Sequence, residues 1–147
     1  MKICTSKAIL TVFSILLFST ISFSQTIGKI YPKEEANVLF GNIIEFVSIN
    51  PSELISILNQ TENYCMFQVQ NKKLIILGDG RKVLYPTGTI VSSNEIFALF
   101  SKSKVMELLG SGSGTIITVE RRESYLTVTF GLLTLELAVW CPPFCPN

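Results

Sequence analysis

The residue types that most often carry acid–base catalysis are nearly absent from this chain. Its 147 residues include no histidine, which excludes His general bases, Ser–His and Cys–His nucleophile pairs and His-containing zinc sites. Asp79 is the only aspartate, and its place in Gly78-Asp79-Gly80 is typical of a turn. An enzyme using paired carboxylates would therefore depend on glutamates.

Two further patterns come closest to catalytic chemistry. Glu45, Glu120 and Glu136 fall on predicted strands, so two of them could face each other across a sheet. The sequence shows neither the cleft nor the fixed separation that glycoside hydrolysis requires. The segment 101–104, Ser-Lys-Ser-Lys, has the Ser-x-x-Lys spacing of penicillin-binding acyl-transferases, but the companion Ser-Asp-Asn and Lys-Thr-Gly motifs are absent. We therefore predict no catalytic residue and no cofactor.

The cysteines favour a disulfide over a metal site. Cys65, Cys141 and Cys145 follow the N-terminal segment, and three thiolates are one short of a Cys₄ zinc site that no histidine can complete. The two prolines between Cys141 and Cys145 must turn the chain to bring the Cα atoms within the roughly 4.4–6.8 Å that a disulfide accepts. We favour the Cys141–Cys145 pair, with a bridge from either one to Cys65 as the alternative.

The C-terminal tail, residues 140–147, has a composition suited to binding. Trp140, the only tryptophan of the chain, is followed closely by Pro142, Pro143 and Phe144. One interpretation is a disulfide-closed tail whose aromatic residues fold back and protect the last strand. The other is a rigid surface presented to a partner, because tryptophan and rigid loops are favoured in interface hot spots. Trp140, Pro142, Pro143 and Phe144 are the candidate binding surface.

Capping signals and periodicity indicate the elements that position these residues. Asn50-Pro51-Ser52-Glu53 has the caps of a helix that ends near Gln60. The Ser92/Glu95 spacing predicts a second helical region from Ser93 to about Leu109, and a short helical turn is expected at residues 33–40. Strands are predicted at residues 43–49, 64–70, 74–77, 83–85, 115–120, 125–130 and 134–140.

These elements predict an α+β domain. Leucines alternate with Thr134 and Glu136 in the last predicted strand, which indicates one packed face and one solvated face. Residues 52–84 and 103–137 share one outline, which suggests two helix–β-meander units. We expect two helical regions packed on one face of a single antiparallel sheet of about six to seven strands.

The first 24 residues have the three parts of a cleavable signal peptide. Lys2 and Lys7 supply the positive charge, residues 8–18 the apolar run, and Ser22-Phe23-Ser24 the small-residue end. The apolar run is shorter than the about 20 residues that cross a bilayer. We expect cleavage after Ser24, a single domain at residues 25–147 with no membrane span, and a periplasmic or secreted location.

The charge balance of the chain indicates which classes of partner to expect. Ten of the twelve basic residues and all eleven acidic residues follow Ser24, so the expected domain is nearly neutral and lacks the basic footprint of a nucleic-acid-binding protein. The leading hypothesis is an exported, non-enzymatic module that binds another protein or an envelope component. The alternatives are a small envelope hydrolase or transferase that uses Glu or Ser, and a structural envelope protein.

The processing of the chain gives the first testable prediction. The intact mass of the protein from its native host, measured after alkylation of free thiols, should match a chain that begins at Gln25 with one disulfide and one alkylated cysteine. A full-length mass with four alkylated cysteines would contradict both the signal peptide and the disulfide.

Overall fold

A computed structural model of the chain describes residues 26–146; the predicted signal peptide at residues 1–24 lies outside the described residues. The described part contains three α-helices, one short 3₁₀ turn at Asp79–Arg81 and ten strands. The helices are α1 (Lys33–Phe40), α2 (Pro51–Leu58) and α3 (Lys102–Ser111). The strands are β1 (Lys29–Pro32), β2 (Ile43–Ile49), β3 (Tyr64–Gln70), β4 (Lys73–Leu77), β5 (Val83–Tyr85), β6 (Phe97–Ser101), β7 (Ile117–Arg122), β8 (Leu126–Phe130), β9 (Leu133–Glu136) and β10 (Val139–Cys141).

The strands form two five-stranded antiparallel sheets, so the prediction of one sheet of six to seven strands with two helical regions on one face is wrong. Sheet A has the order β1-β9-β8-β7-β2, and sheet B has the order β10-β6-β3-β4-β5. The number of strands was underestimated because β1 is a short edge strand with little periodic signal, β6 was predicted as part of a helix, and β9 and β10 were predicted as one strand.

Each sheet combines strands from both halves of the chain. The meander β7-β8-β9 is extended by β2, and the meander β3-β4-β5 is extended by β6. In the first pairing Ile49 lies opposite Ile117, and in the second Phe67 lies opposite Ala98. The helices α2 and α3 follow β2 and β6 directly, so each helix carries the chain from one sheet to the other.

The main core lies between the sheets and is completed by the two crossover helices. Leu54 and Leu58 of α2, four residues apart and thus on one helical face, are fully buried, as are Val105 and Leu108 of α3. These side chains join the apolar residues of the inner faces of both sheets in one cluster. Full burial of each leucine stabilises the fold by about 1.5–3 kcal/mol.

The first half of the second predicted helix is a strand. The predicted capping contact does form, because Glu95 Oε1 accepts a hydrogen bond from the Ser92 backbone N–H at 2.9 Å, but the turn leads into β6 rather than a helix. All five residues of β6 are buried. A strand that is covered on both faces lacks the alternation that would distinguish it from a helix, and α3 begins only at Lys102.

The last predicted strand, residues 134–140, is two strands in different sheets. Leu137 has a φ of 64°, which breaks the extended conformation between β9 of sheet A and β10 of sheet B. Thr134 and Glu136 are buried, so the expected solvated face is also wrong. This face is covered because α1 packs against β9 and against its neighbour β1.

A buried ion pair attaches α1 to the outer face of sheet A. Arg122 and Glu120 are joined at 2.8 Å, and both side chains are almost completely buried. The Arg122 guanidinium also donates to Asn37 Oδ1 of α1 at 3.0 Å and to the carbonyl of Gly41. Thr127 Oγ1 accepts from Arg122 Nε and donates to Glu120. Each nitrogen of the Arg122 guanidinium therefore donates to at least one acceptor.

We expect Arg122→Leu to lower the free energy of unfolding by about 3–5 kcal/mol, because it leaves the Glu120 carboxylate buried without its cation. The measurement is chemical denaturation of the variant and the wild type. The double variant Glu120→Leu/Arg122→Leu buries no charge and should recover part of the loss. A loss below about 1 kcal/mol in the single variant would contradict the role of this pair.

Candidate functional site

The candidate site is an open cleft of about 780 Å³ between the two sheets at one end of the molecule. Sheet B contributes the end of β3, the β3–β4 turn, residues 94–96 and Trp140. Sheet A contributes Glu45 of β2, Arg121 of β7 and residues 123–126. The volume lies in the range of small-molecule and peptide pockets.

Three apolar side chains line the rim of the cleft and are partly exposed. Ile96, Tyr125 and Trp140 expose 55%, 38% and 40% of their surface, respectively, while Phe67 and Leu126 deeper in the cleft are buried. Trp140 lies opposite Ala98 in the ladder and therefore points to the inner face of sheet B. An aromatic residue in such a position offers a large contact area together with one N–H donor.

Tyr125 is positioned from the far side by the aromatic residues of α1 and β1. Its ring lies 5.0 Å from the ring of Phe40, which in turn lies 5.3 Å from the ring of Tyr31, both in edge-to-face orientation. Edge-to-face pairs at this separation are favourable. The helix α1 thereby supports one wall of the cleft.

Glu45, which lines the cleft, ties the two sheets together. One carboxylate oxygen accepts a hydrogen bond from the backbone N–H of Lys72 in the β3–β4 turn, and the other accepts from the Arg121 guanidinium at 3.0 Å. The bond from Lys72, together with the Arg121 charge, holds the pKa of Glu45 below its usual value. This glutamate therefore stays ionised and serves as a connector between β2 and the β3–β4 turn.

The opposite wall is shaped by one side-chain amide. Gln68 Nε2 donates to the Ile96 carbonyl at 3.1 Å, which holds the loop before β6 against β3. Gln68 Oε1 is buried, and within residues 26–146 it has no hydrogen-bond partner. Asn71 and Asn94 add further amides to the lining, so the cleft combines an apolar rim with groups that can both donate and accept hydrogen bonds.

Arg81 fixes both the cleft rim and the C-terminal tail to sheet B. Its guanidinium donates to the carbonyls of Cys141 at 3.2 Å, Ser92 at 3.1 Å and Glu95 at 2.9 Å, and it lies 5.3 Å from the ring centroid of Phe97. Three carbonyls from two segments thus share one cation. The segment that carries Glu95 is held in place although it has no regular secondary structure.

The residues of the predicted binding surface do not lie together in the structure. Cys141 and Cys145 form a disulfide, with Cα atoms 4.8 Å apart, and Cys141 is fully buried. Of the residues proposed from the sequence, Trp140 lines the cleft, whereas Phe144 does not line it and is 69% exposed. Pro142 is half-buried and Pro143 is exposed. The tail thus presents an exposed tip separate from the cleft.

The remaining reactive groups considered from the sequence are engaged elsewhere. Cys65 is a buried free thiol, and burial raises its pKa. Asp79 accepts hydrogen bonds from three successive backbone N–H groups, those of residues 62–64. Ser101 accepts a hydrogen bond from the Ile27 N–H at 2.7 Å, while Lys104 pairs with Glu107 at 2.7 Å. The Ser-x-x-Lys spacing therefore brings no lysine to the serine hydroxyl.

The three strand glutamates do not converge. Glu45 lines the cleft, Glu120 is paired with Arg122 on the outer face of sheet A, and Glu136 is buried in β9. Burial raises the pKa of Glu136. Among residues 26–146 no group of three or more metal-ligating side chains is present, and no helix of that part is long and apolar enough to cross a membrane.

Sequence reasoning singled out Trp140 and considered Glu45, but it missed the other residues of the cleft. Gln68 appeared only within the predicted strand at residues 64–70, and Tyr125 only as the first residue of the predicted strand at residues 125–130. Ile96 fell within the second predicted helical region, from Ser93 to about Leu109. No local signal brings these positions together, because they lie in strands and loops that are distant in sequence. Comparison of the chain with protein-family models, curated proteins and solved structures gave no match.

The role of Glu45 is testable by hydrogen exchange. We expect Glu45→Gln to accelerate exchange of the Lys72 amide severalfold, because the neutral amide binds the N–H less strongly than a carboxylate does. Since the pKa of Glu45 is lowered, the wild-type contact is complete above the usual pKa of glutamate and is lost only as the pH falls through the lowered value. Glu123→Gln, at an exposed residue of the same cleft, is the control and should leave Lys72 unchanged.

Proposed function

We propose that this protein is an exported, non-enzymatic binding module whose ligand, another protein or an envelope component, enters the cleft between the two sheets. The observation that carries the proposal is the cleft itself, which places Trp140, Ile96 and Tyr125, all partly exposed, around a lining of amides and charged groups. A largely pre-formed concavity with a few convergent polar groups is the usual form of a binding site.

The chemistry of the cleft supports binding rather than catalysis. The carboxylate of Glu45 is committed to Arg121 and Lys72, so this glutamate is not free to act as a general base. The segments that form the cleft are also held rigidly in place. Glu45 connects one sheet to the turn of the other, and Arg81 holds the loop at the rim. A pre-organised site loses little conformational entropy when a ligand binds.

The export part of the proposal has separate support. It rests on the signal-peptide pattern of residues 1–24, and the Cys141–Cys145 disulfide is consistent with an oxidising compartment. The disulfide closes a five-residue loop whose first cysteine is held by Arg81. In a reducing cytosol such a bond would not be expected to persist.

The proposal is tested by binding of three probe classes to the protein: soluble peptidoglycan fragments, phosphatidylglycerol vesicles and random linear peptides. Trp140 is the only tryptophan, so its fluorescence reports directly on the cleft. We expect one class to bind and Trp140→Ala to weaken that binding about 30-fold or more, as for an interface hot spot. Calorimetry provides the affinity.

The matched control is Phe144→Ala, which removes an exposed aromatic residue of the tail outside the cleft. This variant should retain wild-type affinity, and both variants should keep the wild-type melting temperature within a few degrees. Loss of binding in Phe144→Ala alone would place the site on the tail and contradict the cleft. Absence of binding by all three classes would contradict the proposed function.

A further inference from the structure

The two sheets have four edge strands, β1, β2, β5 and β10, and three of them are protected against pairing with another chain. β5 and β10 have only three residues each and are followed by Pro86 and Pro142, respectively. β1 has four residues, which include Lys29 and Pro32. Short length, lysine and proline are the features by which natural proteins prevent edge-to-edge pairing. The remaining edge, β2, has seven residues and contains no lysine, arginine or proline.

The backbone groups of Phe46 and Ser48 point to the open side of β2. The Arg122 N–H donates across the β7–β8 turn at 2.8 Å, so Arg122 directs its backbone groups to β8. These groups alternate in direction along a strand. Val119, three residues earlier, therefore directs its own groups to β2, where it lies opposite Val47. The two neighbours of Val47, Phe46 and Ser48, direct their N–H and C=O groups away from β7.

Both residues are accessible to another chain. Phe46 exposes 58% of its surface, and Ser48 is also exposed. Within residues 26–146 no hydrogen bond is made to their backbone groups on the side away from β7. The ladder with β7 is regular over residues 45–49, because its one irregularity is confined to residues 43–45. The open edge thus offers two donors and two acceptors on a regular stretch centred on Val47.

The exposed side chains of this edge carry no charge. Ile44, which precedes the regular stretch, exposes 52% of its surface, and the one charged residue of β2, Glu45, is paired with Arg121. The region after Ser24 contains ten basic and eleven acidic residues, so two copies of the domain repel each other little. Pairing of two identical edges brings like groups together, which a charged edge opposes. An uncharged edge on a nearly neutral domain therefore fits a second copy of itself.

We propose that β2 pairs with β2 of a second copy of this chain, antiparallel and with Val47 on the two-fold axis. In this register Phe46 exchanges both backbone hydrogen bonds with Ser48 of the partner subunit, and the symmetry repeats the exchange on the other side of the axis. Every outward backbone group of residues 46 and 48 is then used. The two A sheets join into one continuous sheet. This inference goes beyond the proposed function and does not depend on the ligand of the cleft.

The side chains suit this register. Phe46 lies opposite Glu120 in the ladder and hence on the outer face of sheet A, where the small Ser48 of the partner subunit leaves room for the ring. The two Phe46 rings are diagonal neighbours on this face, which is within the reach of aromatic side chains. Pairing over so short a stretch buries less than the about 1,200–2,000 Å² of a stable interface. We therefore expect a dimer with a Kd of about 1–100 μM.

The test is sedimentation equilibrium of the mature protein over about 1 to 500 μM, a range that spans the expected Kd. The wild type should show a monomer–dimer equilibrium that changes little with salt, because no ion pair holds the edges together. Ser48→Pro removes an N–H that the monomer does not use and should raise the Kd about tenfold or more. Ser48→Ala, which keeps this N–H, is the matched control and should retain the wild-type Kd.

A second variant leaves the backbone intact. Phe46→Lys, at an exposed residue, places two like charges near each other on one face of the joined sheet and should also raise the Kd about tenfold or more. The melting temperature of this variant, measured at a concentration where the wild type is monomeric, should stay within a few degrees of the wild-type value. Trp140→Ala, in the cleft, should leave the dimer unchanged.

Hydrogen exchange identifies the edge that pairs. The amides of Phe46 and Ser48 should exchange rapidly in the dilute protein and become protected as the concentration rises. The Val47 amide, which is bound to β7 within one protomer, should be protected at both concentrations. This alternation along one strand is the pattern expected of strand pairing and not of contact between side chains alone.

Several outcomes would overturn the inference. They are a protein that remains monomeric up to about 500 μM, and a dimer whose Kd is unchanged in both Ser48→Pro and Phe46→Lys. Protection of the Phe46 and Ser48 amides that requires an added apolar peptide, with the protein itself monomeric, would also overturn it, because the occupant would then be a peptide and not a second copy. Failure of every cleft probe would contradict the proposed function and leave this inference standing.

Discussion

The exchange of strands between the two halves of the chain is the constraint on which the rest of the structure depends. The pairings β2–β7 and β6–β3 join each meander to a strand from the other half, so neither sheet is complete without both. The crossover helices are thereby fixed between the sheets, where Leu58 and Leu108 fill the core. The cleft is a consequence of the same exchange, because its lining comes from strands and turns of both sheets.

Charged side chains hold in place the segments that the pairing of strands does not fix. Glu45 joins β2 to the β3–β4 turn, Arg81 holds the tail and the loop before β6, and Arg122 attaches α1. Each makes several hydrogen bonds to backbone or polar partners, which offset part of the cost of burying a charge. These contacts specify one arrangement of loops that apolar packing alone would leave variable.

Local elements could be predicted from the sequence where the signal lies within a few residues. The bounds of α1 and β2 coincide with those expected, and the Pro51 cap begins α2. The prediction fails at residues 97–101, where a strand buried on both faces resembles a buried helix, and at residues 134–140, where Leu137 divides one apparent strand between two sheets. In both cases packing against distant segments determines the local conformation.

The sequence by itself determined most of the helices, turns and strands, because caps, turn residues and side-chain periodicity act over short distances. Only the tertiary structure decided which strands pair, which face of sheet A is covered, and that Trp140 lines a cleft while Phe144 lies outside it. The physical reason is that backbone hydrogen bonds are alike for every pair of strands. The choice of partner follows from the burial gained by the whole chain, and no local segment contains that information.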